Sequence, residues 1–248
     1  MGLLGALFIG FSLAILGSGG AIITIPVLVY SVEMSEKEAI MSSLIIVGIL
    51  SLLSSFKNPL TKNINIHLLL AFGIPSVLGA FLGANTAAIA PVTAQLIVLS
   101  FSMYIAGAKL LFFTQTPKTR ETSNFISPLI VAGSFVGFLT GFVGVGGGFL
   151  IVPALILAAG LRFDEALSTS LILITLNAIF GLTGYVTSSP EQFVALRWAD
   201  ITQVTLLGAI GVLFGDKLRT HFPQAYMSRM FGALLIIIST VFVFNQIL

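Results

Sequence analysis

The sequence predicts an all-α polytopic membrane protein built from two homologous halves, and three observations carry that prediction. Hydrophobic residues make up 57% of the 248-residue chain and charged residues only 8%, whereas a soluble domain is about 25% charged. The mean hydropathy is +1.11, the apolar runs reach the roughly 20 residues that a helix needs to cross a bilayer core, and strand-like alternation is absent. Finally, a glycine-rich break followed by a proline occurs twice: Gly17-Ser18-Gly19-Gly20-Ala21-Ile22-Ile23-Thr24-Ile25-Pro26 recurs as Gly144-Val145-Gly146-Gly147-Gly148-Phe149-Leu150-Ile151-Val152-Pro153. The same offset of 127 places Ala39 to Leu44 on Ala166 to Leu171.

Taken in order, Leu3 to Leu16 and Ala21 to Tyr30 read as two short helices around a glycine turn, neither long enough to span. Long helices follow over Lys37 to Phe56, Ile66 to Asn85 and Val92 to Phe113. The polar segment 114–124, with Pro117, Lys118, Arg120 and Glu121, reads as a linker between a first repeat, 1–113, and a second, 125–248. In the second repeat Phe125 to Val143 and Phe149 to Gly160 flank the break, followed by Glu165 to Thr187, Ala199 to Asp216 and Met227 to Ile247. The first 36 residues hold no Lys or Arg, so the opening run lacks the basic region of a cleaved signal peptide.

Charge decides between two topologies. If each broken pair crosses the membrane, the basic residues divide six to five; if each pair turns back, only Lys37 and Arg197 lie apart from the other nine. Basic residues gather on the cytoplasmic side, so the expected fold is a pair of inverted repeats, each with a glycine-broken re-entrant helix pair plus three long transmembrane helices. Both termini then lie outside with Glu33, Glu36, Glu38, Glu191 and Asp200. The net charge of +2 and the pI near 9.0 serve topology, so no nucleic-acid partner is expected. The absence of cysteine excludes disulfides and thiolate chemistry.

A glycine break has chemical consequences. Backbone groups freed from helical bonding cannot face lipid, so both turns should be buried and meet near the midplane. Each break also opens a short helix whose first N–H groups lack partners and whose dipole is positive there, an arrangement that binds anions without a buried cation. The candidate substrate contacts are Gly17, Ser18, Gly19 and Gly20 with Gly144, Gly146, Gly147 and Gly148, together with Ser42, Ser43, Thr169 and Ser170 on the helices that follow, and Asn177. Against this stands the reading that these glycines only let helices pack and that the hydroxyls bond a carbonyl one turn back. The GxxxG pairs Gly79/Gly83 and Gly211/Gly215 read as packing contacts. His67 and His221 lack a second ligand at metal spacing, Asp164, Glu165 and Asp216 sit at helix ends, and no nucleophile pairs with a base, so neither metal, cofactor nor catalysis is expected. Trp198 reads as an interfacial anchor.

The two Gly-x-Gly-Gly motifs ending in Pro26 and Pro153, the Ala-x-x-Thr-Ser-Leu pattern at Ala166 to Leu171 and the central polar linker resemble the TauE/SafE sulfite exporter family of membrane permeases over nearly the whole chain. Ser42 stands where the second half has Thr169. The resemblance implies export of a small sulfur-containing or organic anion, such as sulfite, sulfoacetate or a related sulfonate, across the cytoplasmic membrane. The expected mechanism is alternating access, one half rocking against the other about a midplane site. An anion channel and a non-transporting scaffold subunit are the alternatives. The expected partners are the substrate anion and the bilayer, with homo-oligomer formation left open.

Overall fold

The computed structural model describes residues 2–17, 19–57, 65–112, 126–145, 148–219 and 224–247. The first break separates α1 (Gly2–Leu16) from α2 (Gly19–Pro26), which continues as a π-helical turn, Val27–Ser31. Then come α3 (Glu36–Lys57), α4 (Ile66–Ile89) and α5 (Val92–Phe112). The second break separates α6 (Ile126–Val143) from α7 (Gly148–Ala159), followed by α8 (Phe163–Ser188), a short α9 (Pro190–Val194), α10 (Trp198–Arg219) and α11 (Gln224–Ile247). The linker 114–124 lies outside the described residues. The π turn and α9 were not expected from the sequence. Pro26 has no N–H to give to the preceding turn, and a helix that loses one rung can widen locally. Asn65 starts α4 as an N-cap, its side chain accepting the backbone N–H of His67 and Leu68.

The helices meet through glycine. A Cβ on Gly141 would lie 1.9 Å from the Ala80 carbonyl oxygen, and one on Gly137 2.0 Å from that of Ser76, so α6 and α4 touch backbone to backbone. Gly79 and Gly83 return the contact against Ser134 and Phe138. Leu7 and Phe11 of α1 meet Gly211 and Gly215 of α10 in the same way, and Gly10 meets Gly208. Both GxxxG pairs are therefore packing faces. Each glycine hydrogen there faces a carbonyl oxygen, a weak contact of about 0.5–1 kcal/mol.

Contact register gives helix direction. Along α1, residues 7 and 11 meet 211 and 215; along α4, residues 76 and 80 meet 137 and 141; both pairs are parallel. The copies α3 and α8 are antiparallel, because Leu44 lies beside Gly181 and Gly48 beside Ala178. So are α5 and α11, where Gly107 meets Gly232 and the Ser239 hydroxyl donates to the Ser100 carbonyl at 2.7 Å. Leu50 and Ser54 of α3 face Gly208 and Asp216 of α10, so α1, α3 and α10 share one direction. Gly20 packs on Ile9 and Leu13 while Gly5 packs on Val27, so α2 runs back along α1. The first glycine-broken pair is a hairpin, which is why α1 and α3 can be parallel with one element between them.

Burial is arranged as lipid demands. On α4 the buried residues are Phe72, Gly73, Ser76, Gly79, Ala80, Gly83, Ala84 and Ala87, while Leu70, Ile74, Leu78, Leu82 and Ile89 are exposed. Phe72 apart, small residues face helices and large apolar ones face outward, as expected where lipid removes the usual reward for burying leucine. Among the described residues five helices, α3, α4, α5, α8 and α10, are long and apolar enough to cross a membrane. Following the directions, one end of the bundle carries Lys57, Lys109, Arg162, Lys217, Arg219 and Arg229, and the other carries Lys37 and Arg197 with Glu33, Glu36, Glu38, Glu191 and Asp200. We call these the basic and acidic faces.

Replacing Gly141 with alanine drives a methyl group into the Ala80 carbonyl and should destabilise the detergent-solubilised protein by about 1–3 kcal/mol. Gly181→Ala, whose new atom would meet only Leu44 at 3.7 Å, should change stability by less than about 1 kcal/mol. Thermal unfolding of the two variants side by side checks the assignment, and equal losses would contradict it.

Candidate functional site

Gly17 and Gly144 both adopt φ of +74°. That left-handed conformation suits glycine and turns the chain after α1 and α6, with the Gly17 N–H donating to Leu13 O at 2.8 Å and the Gly144 N–H to Thr140 O at 2.9 Å. Those two amides are therefore spent on the turn. Ser18, Gly146 and Gly147 lie outside the described residues. Gly19 and Gly148 begin α2 and α7, whose first-turn amides have no carbonyl one turn back to accept them. Gly20 has a packing role, since a Cβ there would lie 2.2 Å from Ile9 O.

Each turn is held by the other half. A Cβ on Gly144 would collide with Ile40 of α3 at 2.1 Å, and one on Gly17 with Leu167 of α8 at 2.7 Å; Ile40 and Leu167 are counterparts at the offset of 127. The Ser43 hydroxyl is shared between Ile40 O at 2.8 Å and Gly144 O at 2.6 Å. Tyr185 of α8, a residue the sequence reading passed over, donates to Phe142 O at 3.4 Å and lies over Gly144. Ser43 and Tyr185 thus clamp the second turn from two helices.

The expectation that both turns meet near the midplane is not met. Leu167 beside Gly17 and Tyr185 beside Gly144 stand 18 positions apart on α8, about 27 Å at 1.5 Å per residue. The Gly17 turn lies towards the basic face and the Gly144 turn towards the acidic face. The physical reason is the length of the arms: α1 has 15 residues, about 22 Å, so the hairpin carries its tip most of the way across.

The other candidates divide accordingly. Ser170 and Thr169 donate to Leu167 O and Glu165 O, at 2.7 and 2.8 Å, on the α8 end that borders the Gly17 turn. Ser42, fully buried on α3, has an Oγ with no partner. Asn177 is alone at the middle of α8. Its Nδ2 donates to Ser76 Oγ of α4 at 2.7 Å while its Oδ1 is buried and unpaired. Because α10 repeats α4 at an offset of 132, as Gly211 repeats Gly79, the counterparts of Asn177 and Ser76 are Leu50 and Gly208, which also touch. One copy of this contact is polar and the other is apolar.

Charge stays at the ends. The described Lys and Arg residues lie at or near helix termini, and no group of His, Asp and Glu among the described residues could hold a metal ion. At the basic face the Ser54 hydroxyl lies 3.5 Å from Asp216 Oδ1. At the acidic face Arg197 pairs with Asp200 and donates to the carbonyls of Val32 and Glu33, tying the α9–α10 connection to the α2–α3 connection.

The sequence profile of the sulfite exporter TauE/SafE proteins matches residues 2–242. A probable membrane transporter protein of Methanocaldococcus jannaschii is 28% identical over 88% of this chain and 85% of its own length. A like-named protein of Xylella fastidiosa is 28% identical over 93% and 89%, and one of Bacillus subtilis 24% over 88% and 89%. No solved structure matches the chain.

Removing the Ser43 hydroxyl leaves the buried Gly144 carbonyl without this donor, so Ser43→Ala should cost about 1–3 kcal/mol. Ser42→Ala removes a hydroxyl that already lacks a partner and should leave stability unchanged or higher. Thermal unfolding of both variants, without added anion, is the measurement; a larger loss at Ser42 would reverse the two roles.

Proposed function

This chain belongs to the sulfite exporter TauE/SafE family, and from that premise we propose that it carries a small sulfur-containing or organic anion, sulfite or a sulfonate, out across the cytoplasmic membrane. It is a membrane transporter by family; the substrate class, direction and mechanism are our reading. The observation that carries the reading is the pair of oppositely directed glycine turns, each opening a short helix, since the first-turn amides of a helix lack an intrahelical acceptor.

The energetics favour donors over charges. A desolvated ion in a protein carries a penalty of several kcal/mol, and each hydrogen bond to a charged group returns about 1.5–3 kcal/mol, so three or four amides at one glycine end are enough to hold a small oxyanion. Because two helix dipoles oppose each other at each hairpin tip, the local N–H groups supply the attraction. An anion bound this tightly by fixed positive charge would not leave, and the described spans hold no lysine or arginine at their centres. In this reading the starts of α2, at Gly19, and of α7, at Gly148, form two stations near opposite faces. Thr169 and Ser170 support the first, Ser42 and Ser43 the second, and Asn177 lies on the way between. A half-turn of the Asn177 amide lets Ser76 donate to Oδ1 and presents both N–H bonds to a passing anion.

Packing also favours a particular moving part. Each hairpin is locked by glycine to a long helix of the other half, so the bodies that can shift are α1, α2, α3 and α10 against α6, α7, α8 and α4, meeting at the α3–α8 crossing. Such bodies combine parts of both repeats, unlike the half-against-half motion expected from the sequence. The basic face is cytoplasmic by the positive-inside rule, which sets the two repeats in inverted orientation with both termini outside.

The test is counterflow of labelled sulfite in proteoliposomes. Wild-type protein should show uptake stimulated by internal unlabelled anion, whereas a pore would show none and a scaffold would show no uptake. The double variant Asn177→Leu with Ser76→Gly, which copies the Leu50–Gly208 contact, should fold with thermal stability unchanged or higher and lose at least about ten-fold in rate, the equivalent of ~1.4 kcal/mol at the barrier. Full activity in that variant would remove Asn177 from the path.

A further inference from the structure

A groove between α5, α6 and α7 has no place in the transport scheme. It holds about 460 Å³, within the roughly 300–1,000 Å³ of ordinary ligand sites, and is walled by Phe101 and Ile105 of α5, Val136 of α6, and Pro153 and Leu157 of α7, with Lys109 at one end. Phe101 and Ile105 are exposed, so the groove opens sideways, onto lipid in a bilayer. Its lining is apolar except for Lys109 and the Ser102 hydroxyl, and that hydroxyl is turned onto its own helix, donating to Leu99 O at 2.9 Å. Lys109 stands in the last turn of α5, at the basic face, and is exposed. Among the described residues no carboxylate pairs with it.

We infer that this groove binds an anionic phospholipid of the leaflet on the basic side, one acyl chain lying along α5 and the headgroup phosphate on Lys109. Length agrees: from Lys109 to Ile97 at the far end of the lining α5 rises about 18 Å, somewhat more than the half-thickness of about 15 Å that one leaflet's chains occupy. Charge selects the headgroup, because a lysine at the membrane surface attracts anionic lipid by about 1 kcal/mol and its long stem reaches the interface. A second copy of this chain is the poorer occupant, since a two-fold contact over the groove would set Lys109 against the Lys109 of its partner. The position gives the lipid something to act on: Pro153 and Leu157 belong to α7, the arm opened by the second glycine break, so a chain in the groove rests on the hairpin that carries the Gly144 turn.

The test uses fluorescence and not transport. The chain has one tryptophan, so Leu157→Trp in a Trp198→Phe background places a single fluorophore on the groove wall. The protein is reconstituted in phosphatidylcholine vesicles containing a minor fraction of either phosphatidylglycerol or phosphatidylcholine with brominated chains. Brominated phosphatidylglycerol should quench as though enriched about five-fold at the site, the ratio that ~1 kcal/mol gives. Lys109→Gln should equalise the two lipids and Lys109→Arg should keep the preference. Equal quenching with Lys109 in place overturns the proposal, as does quenching by neither lipid, the result expected if another copy of the chain seals the groove.

Discussion

Close backbone contact through glycine is the constraint on which this structure depends. In lipid an exposed leucine loses nothing, so apolar side chains cannot draw helices together as they do in water. What remains is dispersion, weak Cα–H···O contact and the requirement that buried polar atoms find partners. Those contacts grow with proximity, and only residues such as Gly10, Gly79, Gly83, Gly137, Gly141, Gly211 and Gly215 allow the carbonyls opposite to approach so closely. The paired lines of glycine on α1–α10 and α4–α6 fix helix direction, register and spacing, and the hairpins follow because each is tethered to one member of such a pair.

Much of this was legible. The repeat of Gly17 to Pro26 at Gly144 to Pro153 announced both turns, and the GxxxG pairs announced which faces of α4 and α10 would pack. The charge count predicted that each broken pair turns back, and for the first pair the register of α1 against α2 agrees. Other features were hidden for identifiable reasons. The offset is 127 through α3 and α8 but 132 for α4 against α10, so Ser76 and Gly208 could not be recognised as counterparts by sliding the sequence on itself at one step. Tyr185 was missed because its counterpart position, Asn58, gives no matching signal. The meeting of the two turns was expected from the rule that broken backbone must be buried, but burial is satisfied here by Ile40, Leu167, Ser43 and Tyr185 at separate levels. That rule demands cover and is silent about depth.

The two copies of a contact need not do the same work. Leu50 on Gly208 is a packing contact; Asn177 on Ser76 is the same contact with hydrogen-bonding capacity added, and it leaves one buried oxygen unpaired. A buried polar atom without a partner costs roughly 1–3 kcal/mol, so the polar copy is retained at the expense of stability. Ser42 against Thr169 is a second difference of this kind, since Thr169 bonds the carbonyl one turn back and Ser42 bonds nothing. Such single differences between matching positions leave one hydrogen-bonding group unsatisfied where its counterpart is apolar or already bonded.

The exchange of partners between halves also bears on how the chain comes together during synthesis. The glycine face of α4 meets that of α6, which begins 37 positions after α4 ends, and at about 5–20 residues per second the wait is a few seconds. The glycine face of α1 has to wait for α10, whose first residue lies 182 positions beyond the end of α1; at the same rate that is about 9–36 s. For that interval α1 has no partner for its close-contact surface except the returning arm of its own hairpin. The α1–α2 hairpin is therefore weakly held while it waits, and α1 reaches its final neighbours only once α10 has been made.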